Sequence, residues 1–112
     1  MKKAQQKITT TIFLLLIGLM ANAQSIQLKK ANDLFDHLAY IEAIEAYKDV
    51  LDKDKDNGVA LANLAHCYRL TSNTKLAEFY YKRALKYNHK DNSLVLYYGQ
   101  ALMSNAKYDE AL

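Results

Sequence analysis

A 34-residue interval recurs along the chain and constrains the fold more than any other feature. Ala43, Ala77 and Ala111 are separated by this interval, and Tyr47 and Tyr81 repeat it four residues further on. Further columns keep the same register: Ala31, Ala65 and Gly99; Leu34, Tyr68 and Leu102; and, two intervals apart, Tyr40 and Tyr108. A period of this length indicates one supersecondary unit that stacks on copies of itself.

Apolar residues within each interval predict a pair of helices. Segment 58–71 places four of them at i, i+3, i+4 and i+7, which is one helical stripe: Leu61, Leu64, Ala65 and Tyr68. The predicted helices cover 26–38, 41–53, 58–71, 74–87 and 93–105, and a sixth begins at 108. The absence of proline and the presence of only 3 glycines are atypical of a turn-rich β-sandwich. The pattern therefore predicts an all-α fold.

Particular side chains are expected to set the spacing between these helices. The small residues Ala65, Ala77 and Gly99 allow close approach of paired helices, and Tyr47 and Tyr81 fill the space between consecutive pairs. The polar run from residue 71 to 74 supplies turn and N-cap side chains, which compete with helical backbone bonding.

The first 23 residues have the organisation of a secretory signal peptide. Lys2, Lys3 and Lys7 precede a nine-residue apolar run from Ile12 to Met20, and Ala21-Asn22-Ala23 provides a small-x-small cleavage site. The apolar run is much shorter than the roughly 20 residues that span a bilayer. We expect cleavage after Ala23, and the alternative is an uncleaved signal anchor.

The net charge of +3 belongs to this segment. From Gln24 onward the chain carries 12 basic and 12 acidic residues, whereas nucleic-acid binding proteins show a clustered basic surplus. We therefore expect no nucleic-acid partner. The single cysteine, Cys67, excludes an internal disulfide and is expected to lie in the core.

The helical register resembles the tetratricopeptide repeat. The resemblance is carried by Leu61-x-x-Leu64-Ala65-x-x-Tyr68 with Ala77-x-x-x-Tyr81, and by the segment from Lys107 to Leu112, which is similar to the opening of the family's second helix. It implies an all-α helix-turn-helix solenoid after the signal peptide, with two full repeats and a truncated third. The expected divisions are 1–23 (signal peptide), 24–57 and 58–91 (repeats 1 and 2) and 92–112 (partial repeat 3).

Searches for catalytic and metal-binding patterns lead to ordinary structural interpretations. His66 and Cys67 are adjacent on a helix and point about 100° apart, so they do not form a nucleophile–base pair. His37 and His89 lie at helix ends. The run Asp52-x-Asp54-x-Asp56 lacks the glycine and the final glutamate of a calcium loop and is interpreted as a polar inter-repeat loop. We expect no enzymatic activity, catalytic residue, metal or cofactor.

The resemblance implies a concave groove, lined by the first helix of each repeat, that holds an extended peptide or a partner's helix. Its candidate binding residues are Asn32, Phe35, Asn63, His66, Arg69, Gln100 and Met103, with Leu28, Ala62 and Leu96 beside them. Asn32 and Asn63 match the amides with which some members hold a peptide backbone or C-terminal carboxylate. Leu28, Ser93 and Tyr97 stand where those members carry cations, so amide hydrogen bonds with apolar anchors such as Phe35 and Met103 are expected instead.

These patterns indicate an exported protein-binding scaffold in a bacterial cell envelope, either periplasmic or associated with the outer membrane. The order of signal peptide and repeats also resembles the start of OmpA-like family members with N-terminal tetratricopeptide repeats. We expect the chain to be the N-terminal part of a longer protein. The alternative is a substrate-recruiting repeat region of an exported enzyme whose catalytic domain lies beyond residue 112.

Overall fold

The computed structural model describes residues 2–88 and 90–111. Over these ranges the chain forms five α-helices and no strand: α1 (Lys2–Asp36), α2 (Tyr40–Lys53), α3 (Gly58–Leu70), α4 (Thr74–Tyr87) and α5 (Asn92–Ala111). Each helix packs on the next, and α1 also contacts α3. The molecule is elongated, with extents of 74 × 27 × 24 Å. The predicted all-α solenoid is confirmed.

The two turns within complete helix pairs have the same backbone geometry. Leu38 and Ser72 are one repeat interval apart and adopt left-handed conformations, with φ of 62° and 65°. In the first turn the Ala39 amide donates to the Leu34 carbonyl at 2.9 Å, and in the second the Asn73 amide donates to the Tyr68 carbonyl at 2.8 Å. A left-handed conformation costs a non-glycine residue about 1–2 kcal/mol. The returning helix offsets this cost by burying its apolar face.

Asparagine side chains begin the two helices of the second repeat. Asn57 Oδ1 accepts a hydrogen bond from the Ala60 amide at 3.0 Å, and Asn73 Oδ1 accepts one from the Leu76 amide at 3.3 Å. Both satisfy an amide that lacks an intrahelical partner. The predicted capping turn and the predicted polar loop between repeats are confirmed.

The buried core residues occupy many of the positions that recur at the 34-residue interval. Its fully buried members come from each of the first four helices and include Ala31, Ala43, Tyr47, Leu61, Leu64, Ala65, Tyr81 and Ala84. Ala65 and Ala77 are buried, as are the rings of Tyr47 and Tyr81, whose hydroxyls contact side chains of neighbouring helices. Gly99 differs, because a Cβ added there would meet no atom within 4 Å.

The end of helix α5 differs from the prediction, which placed a turn between residues 105 and 108. A turn was expected before residue 108, where a sixth helix was predicted to begin, but α5 continues to Ala111. Ala106, which corresponds to Leu38 and Ser72 in the register, stays helical.

Contacts with α4 hold the extended part of α5. Asn105 is buried, and its Nδ2 donates hydrogen bonds to the Thr74 carbonyl at 3.1 Å and to Glu78 Oε2 at 2.6 Å. Lys75 Nζ and Asp109 Oδ1 form an exposed ion pair at 4.0 Å. These bonds favour a straight α5 beside the start of α4.

The N-terminal part of α1 projects away from the core. Every side chain from Gln5 to Leu19 is exposed, including the apolar Phe13, Leu14 and Leu15. The predicted cleavage position after Ala23 lies within the continuous helix α1, so cleavage there stays a prediction. In the part of the chain that the structure describes, no helix combines the length and apolar character needed to cross a membrane.

Candidate functional site

The predicted binding residues lie on α1, α3 and α5, which are the first helices of the three predicted repeats. Five of them are joined through aromatic side chains: Asn32, Phe35, Asn63, His66 and Arg69. Their contacts form two neighbouring groups, each built around the hydroxyl of a buried tyrosine.

The first group, the Tyr47 cluster, consists of Asn32, Tyr47 and Asn63. The Tyr47 hydroxyl donates to Asn32 Oδ1 at 2.5 Å. Asn63 Nδ2 donates to the Tyr47 oxygen at 3.0 Å and to Asn32 Oδ1 at 3.1 Å. The cluster therefore connects α1, α2 and α3 through neutral groups.

Burial determines the protonation of the central tyrosine. The Tyr47 ring is fully buried, and loss of solvation raises the pKa of its hydroxyl to about 12, against an opposing effect of the hydrogen bond from Asn63. The hydroxyl therefore keeps its proton and its donor role. The two amides retain further capacity, since Asn32 Nδ2 and Asn63 Oδ1 make no hydrogen bond within residues 2–88 and 90–111.

The second group, the Tyr81 cluster, consists of His66, Arg69, Tyr81 and Tyr97. Arg69 Nε donates to the Tyr81 oxygen at 2.9 Å, and His66 Nδ1 lies 2.7 Å from the same oxygen. The guanidinium carbon of Arg69 lies 4.2 Å from the centroid of the Tyr97 ring, which is a cation–π contact. Together these contacts connect α3, α4 and α5.

Ring packing surrounds His66. Its ring centroid lies 5.3 Å from that of Tyr81, 5.4 Å from that of Tyr97 and 6.4 Å from that of Phe35. Tyr81 and Tyr97 stack with centroids 6.0 Å apart and an interplanar angle of 17°. This packing fixes the orientation of the imidazole and links the α1 residue Phe35 to the cluster.

The surroundings of His66 favour its neutral form. Burial lowers its pKa, the nearby Arg69 charge lowers it further, and Asp91 acts in the opposite direction. Because the Arg69 guanidinium can only donate, the Tyr81 oxygen accepts from it. The Tyr81 proton is then available to an unprotonated His66 Nδ1.

Two predicted binding residues, Gln100 and Met103, contribute to neither cluster. Both are exposed on α5, and Met103 is 60% exposed. They correspond in the repeat register to His66 and Arg69. A returning helix and a further repeat beside α5 would be needed to give them the same surroundings.

Sequence reasoning did not identify Tyr97 as a site residue, nor the hydrogen-bonding roles of Tyr47 and Tyr81. The register contains a signal for all three. Asn32 and His66 are one repeat interval apart, and each lies 15 residues before the tyrosine that it contacts. Tyr97 lies 34 residues, one repeat interval, after Asn63.

The remaining candidate groups have structural roles. Cys67 is a buried free cysteine, as predicted, and burial raises the pKa of its thiol to about 11. His37 Nδ1 lies 2.7 Å from the Asp33 carbonyl, and His89 falls outside the described residues. Within those residues, no group of three or more His, Cys, Asp or Glu side chains is arranged to hold a metal ion.

Comparison with known families agrees with this arrangement. The sequence profile of the Tetratricopeptide repeat family matches residues 34–91, just over half of the chain. The chain belongs to the tetratricopeptide repeat family. No curated protein matches it. Tetratricopeptide repeats are scaffolds for protein–protein interaction, and they are generally not catalytic.

Proposed function

We propose that this chain is an exported scaffold of a bacterial cell envelope that binds an extended peptide or a helix of a partner protein. Membership of the tetratricopeptide repeat family is the observation that carries the protein-binding part of the proposal. The proposed binding surface is the groove formed by the predicted site residues of α1, α3 and α5.

The side chains along the proposed groove support peptide binding. An extended peptide presents alternating amide and carbonyl groups, and Asn32 Nδ2 and Asn63 Oδ1 are complementary to them. Phe35, which is partly buried, and Met103, which is exposed, provide apolar contacts for side chains of the peptide. Rigid aromatic residues such as Tyr97 add contact area at little entropic cost.

The proposed export is supported by residues 1–23. They have the charge and apolar pattern of a signal peptide, and their described side chains from Gln5 to Leu19 are exposed and make no part of the core. Removal of this segment would therefore leave the packed helices intact.

Export is tested by expressing the full chain with a C-terminal tag in a Gram-negative bacterium. The tagged protein is expected in the periplasmic or membrane fraction, and its intact mass should correspond to a chain that begins at Gln24. A product that retains residues 1–23 in the cytoplasm would contradict the envelope location. Retention of these residues in a membrane fraction would instead favour the uncleaved anchor.

Groove binding is tested by site-specific photo-crosslinking in the same cells. In separate variants, a photo-reactive amino acid replaces Gln100, an exposed residue of the proposed groove, or Phe35, a partly buried one. The matched control places it at Glu45, an exposed residue of α2. Crosslinked adducts with a partner protein are expected at Gln100 and at Phe35 but not at Glu45. Equal partner adducts at Gln100 and Glu45, or none at any position, would contradict the proposed groove.

A further inference from the structure

We propose that two copies of this chain associate through the outer faces of α2 and α4, with α2 of each copy packed on α4 of the other. This association is separate from the proposed groove, because the predicted groove residues lie on α1, α3 and α5. It is carried by two stripes of side chains that occupy equivalent register positions and are complementary in charge.

Helix α2 presents a stripe of acidic side chains. Four exposed acids recur at i, i+3, i+7 and i+10, a spacing that places them on one helical face: Glu42, Glu45, Asp49 and Asp52. Lys48 and Lys53 flank the stripe, and Lys48 Nζ pairs with Glu45 Oε1 at 3.8 Å. Within residues 2–88 and 90–111, the other three acids of the stripe make no ion pair.

Helix α4 presents a basic and apolar stripe at the equivalent positions. One repeat interval after the four acids stand Leu76, Phe79, Arg83 and Lys86. Phe79 is 53% exposed although it is apolar. A surface depression of about 630 Å³ lies on this face and is lined by Phe79, Lys82, Arg83, Leu85 and Lys86. Exposed apolar side chains beside charged ones are typical of a protein interaction site.

The two helices differ in the sign of their charge. Helix α2 carries four acids and two lysines, a net charge of −2, whereas α4 carries four basic residues and one acid, a net charge of +3. Four acids near α4 make contacts within the chain: Glu78 with Asn105 at 2.6 Å, Asp56 with the Tyr87 hydroxyl at 2.6 Å, Asp91 with the Ser93 hydroxyl at 2.7 Å, and Asp109 with Lys75 at 4.0 Å. Arg83 and Lys86 make no ion pair in the described ranges. Their positive charge is therefore complementary to an acidic surface.

Contacts within the chain orient Arg83 on this face. Its Nη2 donates to the Lys55 carbonyl at 3.3 Å, and its guanidinium carbon lies 5.7 Å from the ring centroids of Phe79 and Tyr80. A carbonyl and two rings leave the charge of the guanidinium without an acid. A guanidinium held in this way loses less conformational freedom when it meets a carboxylate.

A second copy of the chain supplies the complement of both stripes at once. Helices joined by short connections run antiparallel to their neighbours, so α2 and α4, which precede and follow α3, run in the same direction. A two-fold axis parallel to them lays α2 of each copy on α4 of the other. Equivalent register positions then face each other, Asp49 with Arg83 and Asp52 with Lys86. A contact of this kind closes on itself and gives a dimer.

The opposite end of the contact is apolar, and the whole contact is small. Leu76 and Phe79 lie in the first half of α4 and face the start of α2, where Ile41 is 65% exposed. Each helix has 14 residues and is therefore about 21 Å long. An interface of two such helices per copy is at the lower end of the range for specific complexes, so the dimer should be weak and sensitive to salt.

The test compares charge variants of the full-length chain by analytical ultracentrifugation. The first variant makes α2 basic (Asp49→Lys with Asp52→Lys), the second makes α4 acidic (Arg83→Glu with Lys86→Glu), and the third combines all four changes. The matched control, Lys29→Glu with Lys30→Glu, changes the charge of exposed residues on α1 by the same amount as the second variant. Circular dichroism shows that each variant is folded.

The wild type should form a dimer with a dissociation constant in the micromolar range, weakened about 10-fold or more between about 50 mM and about 500 mM NaCl. The first and second variants should each associate at least about 10-fold more weakly than the wild type. An equimolar mixture of these two variants should form dimers again, because every contact then joins a basic stripe to an acidic one. The combined variant should also recover the dimer, and the control should stay within about 2-fold of the wild type.

Self-association through any other surface gives a different result. All variants keep residues 1–23, so association through the exposed apolar side chains of that segment would be equal in every variant. A dimer unaffected by the charge reversals, or a mixture that associates no better than its two components, would overturn the proposed pairing. A wild type that stays monomeric at low salt would also overturn it and would leave the stripe of α4 to an acidic partner protein.

Photo-crosslinking provides a second readout in cells. The photo-reactive amino acid at Glu45 should form an adduct of twice the mass of the chain, in which both members are this protein. This adduct is distinct from those expected in the groove, which contain a different partner. Its absence would count against the dimer and would leave the proposed groove unaffected.

Discussion

The Tyr47 and Tyr81 clusters occupy the same register of consecutive repeats and have different chemistry. In both, a fully buried tyrosine directs its hydroxyl to a side chain that lies 15 residues earlier, Asn32 in one case and His66 in the other. Asn63 completes the first cluster, whereas its register equivalent, Tyr97, supplies a ring to the second.

The difference shows that the repeat fixes the position of the hydroxyl and leaves its partners free to vary. The tyrosine ring is needed to fill the space between helices, so its location follows from core packing. The partners lie on the first helices, where they are partly exposed. The Tyr47 cluster thereby provides neutral amide groups, and the Tyr81 cluster provides an oriented cation.

The largest effects should be equal in the two clusters, because both rings are buried to the same extent. Tyr47→Ala and Tyr81→Ala should each lower the free energy of unfolding by about 3–5 kcal/mol, measured by urea denaturation with circular dichroism. Tyr87→Ala is the control, since Tyr87 is 40% exposed. A cost at either buried position no larger than that of the control would contradict equal roles in packing.

Removal of the tyrosine hydroxyls alone should lower the free energy of unfolding by different amounts in the two clusters. Tyr81→Phe leaves both Arg69 Nε and His66 Nδ1 without this partner, and we expect a cost of about 2 kcal/mol. Tyr47→Phe leaves the bond between Asn63 and Asn32 intact, so we expect about 1 kcal/mol.

Tyr98→Phe provides the control for this pair of substitutions. Tyr98 is partly buried and its hydroxyl makes no hydrogen bond within the described ranges, so its loss should change stability by less than about 0.5 kcal/mol. Equal costs for Tyr47→Phe and Tyr81→Phe would show that the additional partners of Tyr81 contribute nothing to stability.

The smallest predicted effect is a pH dependence confined to the second cluster. Burial and the Arg69 charge lower the folded-state pKa of His66, so the unfolded chain binds this proton first as the pH falls. Its contribution to stability is therefore present above about pH 6.5 and is lost as the pH falls through the folded-state pKa.

His66→Asn tests this by placing in the second cluster the residue type found in the first. The difference in unfolding free energy between wild type and variant is measured from pH 8 to pH 5, and His37 and His89 are common to both proteins. The wild type is expected to lose more stability on acidification. Identical pH profiles would show that His66 does not titrate differently on folding.

Much of the fold could be predicted from the sequence because its signals are local and periodic. The spacing of Leu61, Leu64 and Tyr68 gives one helical face, and the 34-residue interval brings equivalent faces together. Asn73 is a recognisable N-cap because a side-chain oxygen at that position satisfies the free amides of the next helix. The core columns and the four turn-linked helices follow from these short-range preferences.

The straight α5 could not be predicted in the same way. Ala106 stands at the turn position occupied by Leu38 and Ser72, and the residue types themselves do not distinguish the three. A left-handed turn is stable only when the helix that follows it buries enough surface. The energy of that burial belongs to contacts between helices and not to the local sequence.

The sequence by itself determined the repeat register, the all-α architecture and the helices that carry the candidate site. Only the tertiary structure decided that Arg69 is held between Tyr81 and Tyr97 and that Asn32 meets Asn63 and Tyr47. These contacts join residues 12 to 31 positions apart on different helices. Their geometry depends on the crossing angles and separations of the packed helices. Helix separations differ between packed pairs by more than the narrow range of distances over which a hydrogen bond forms.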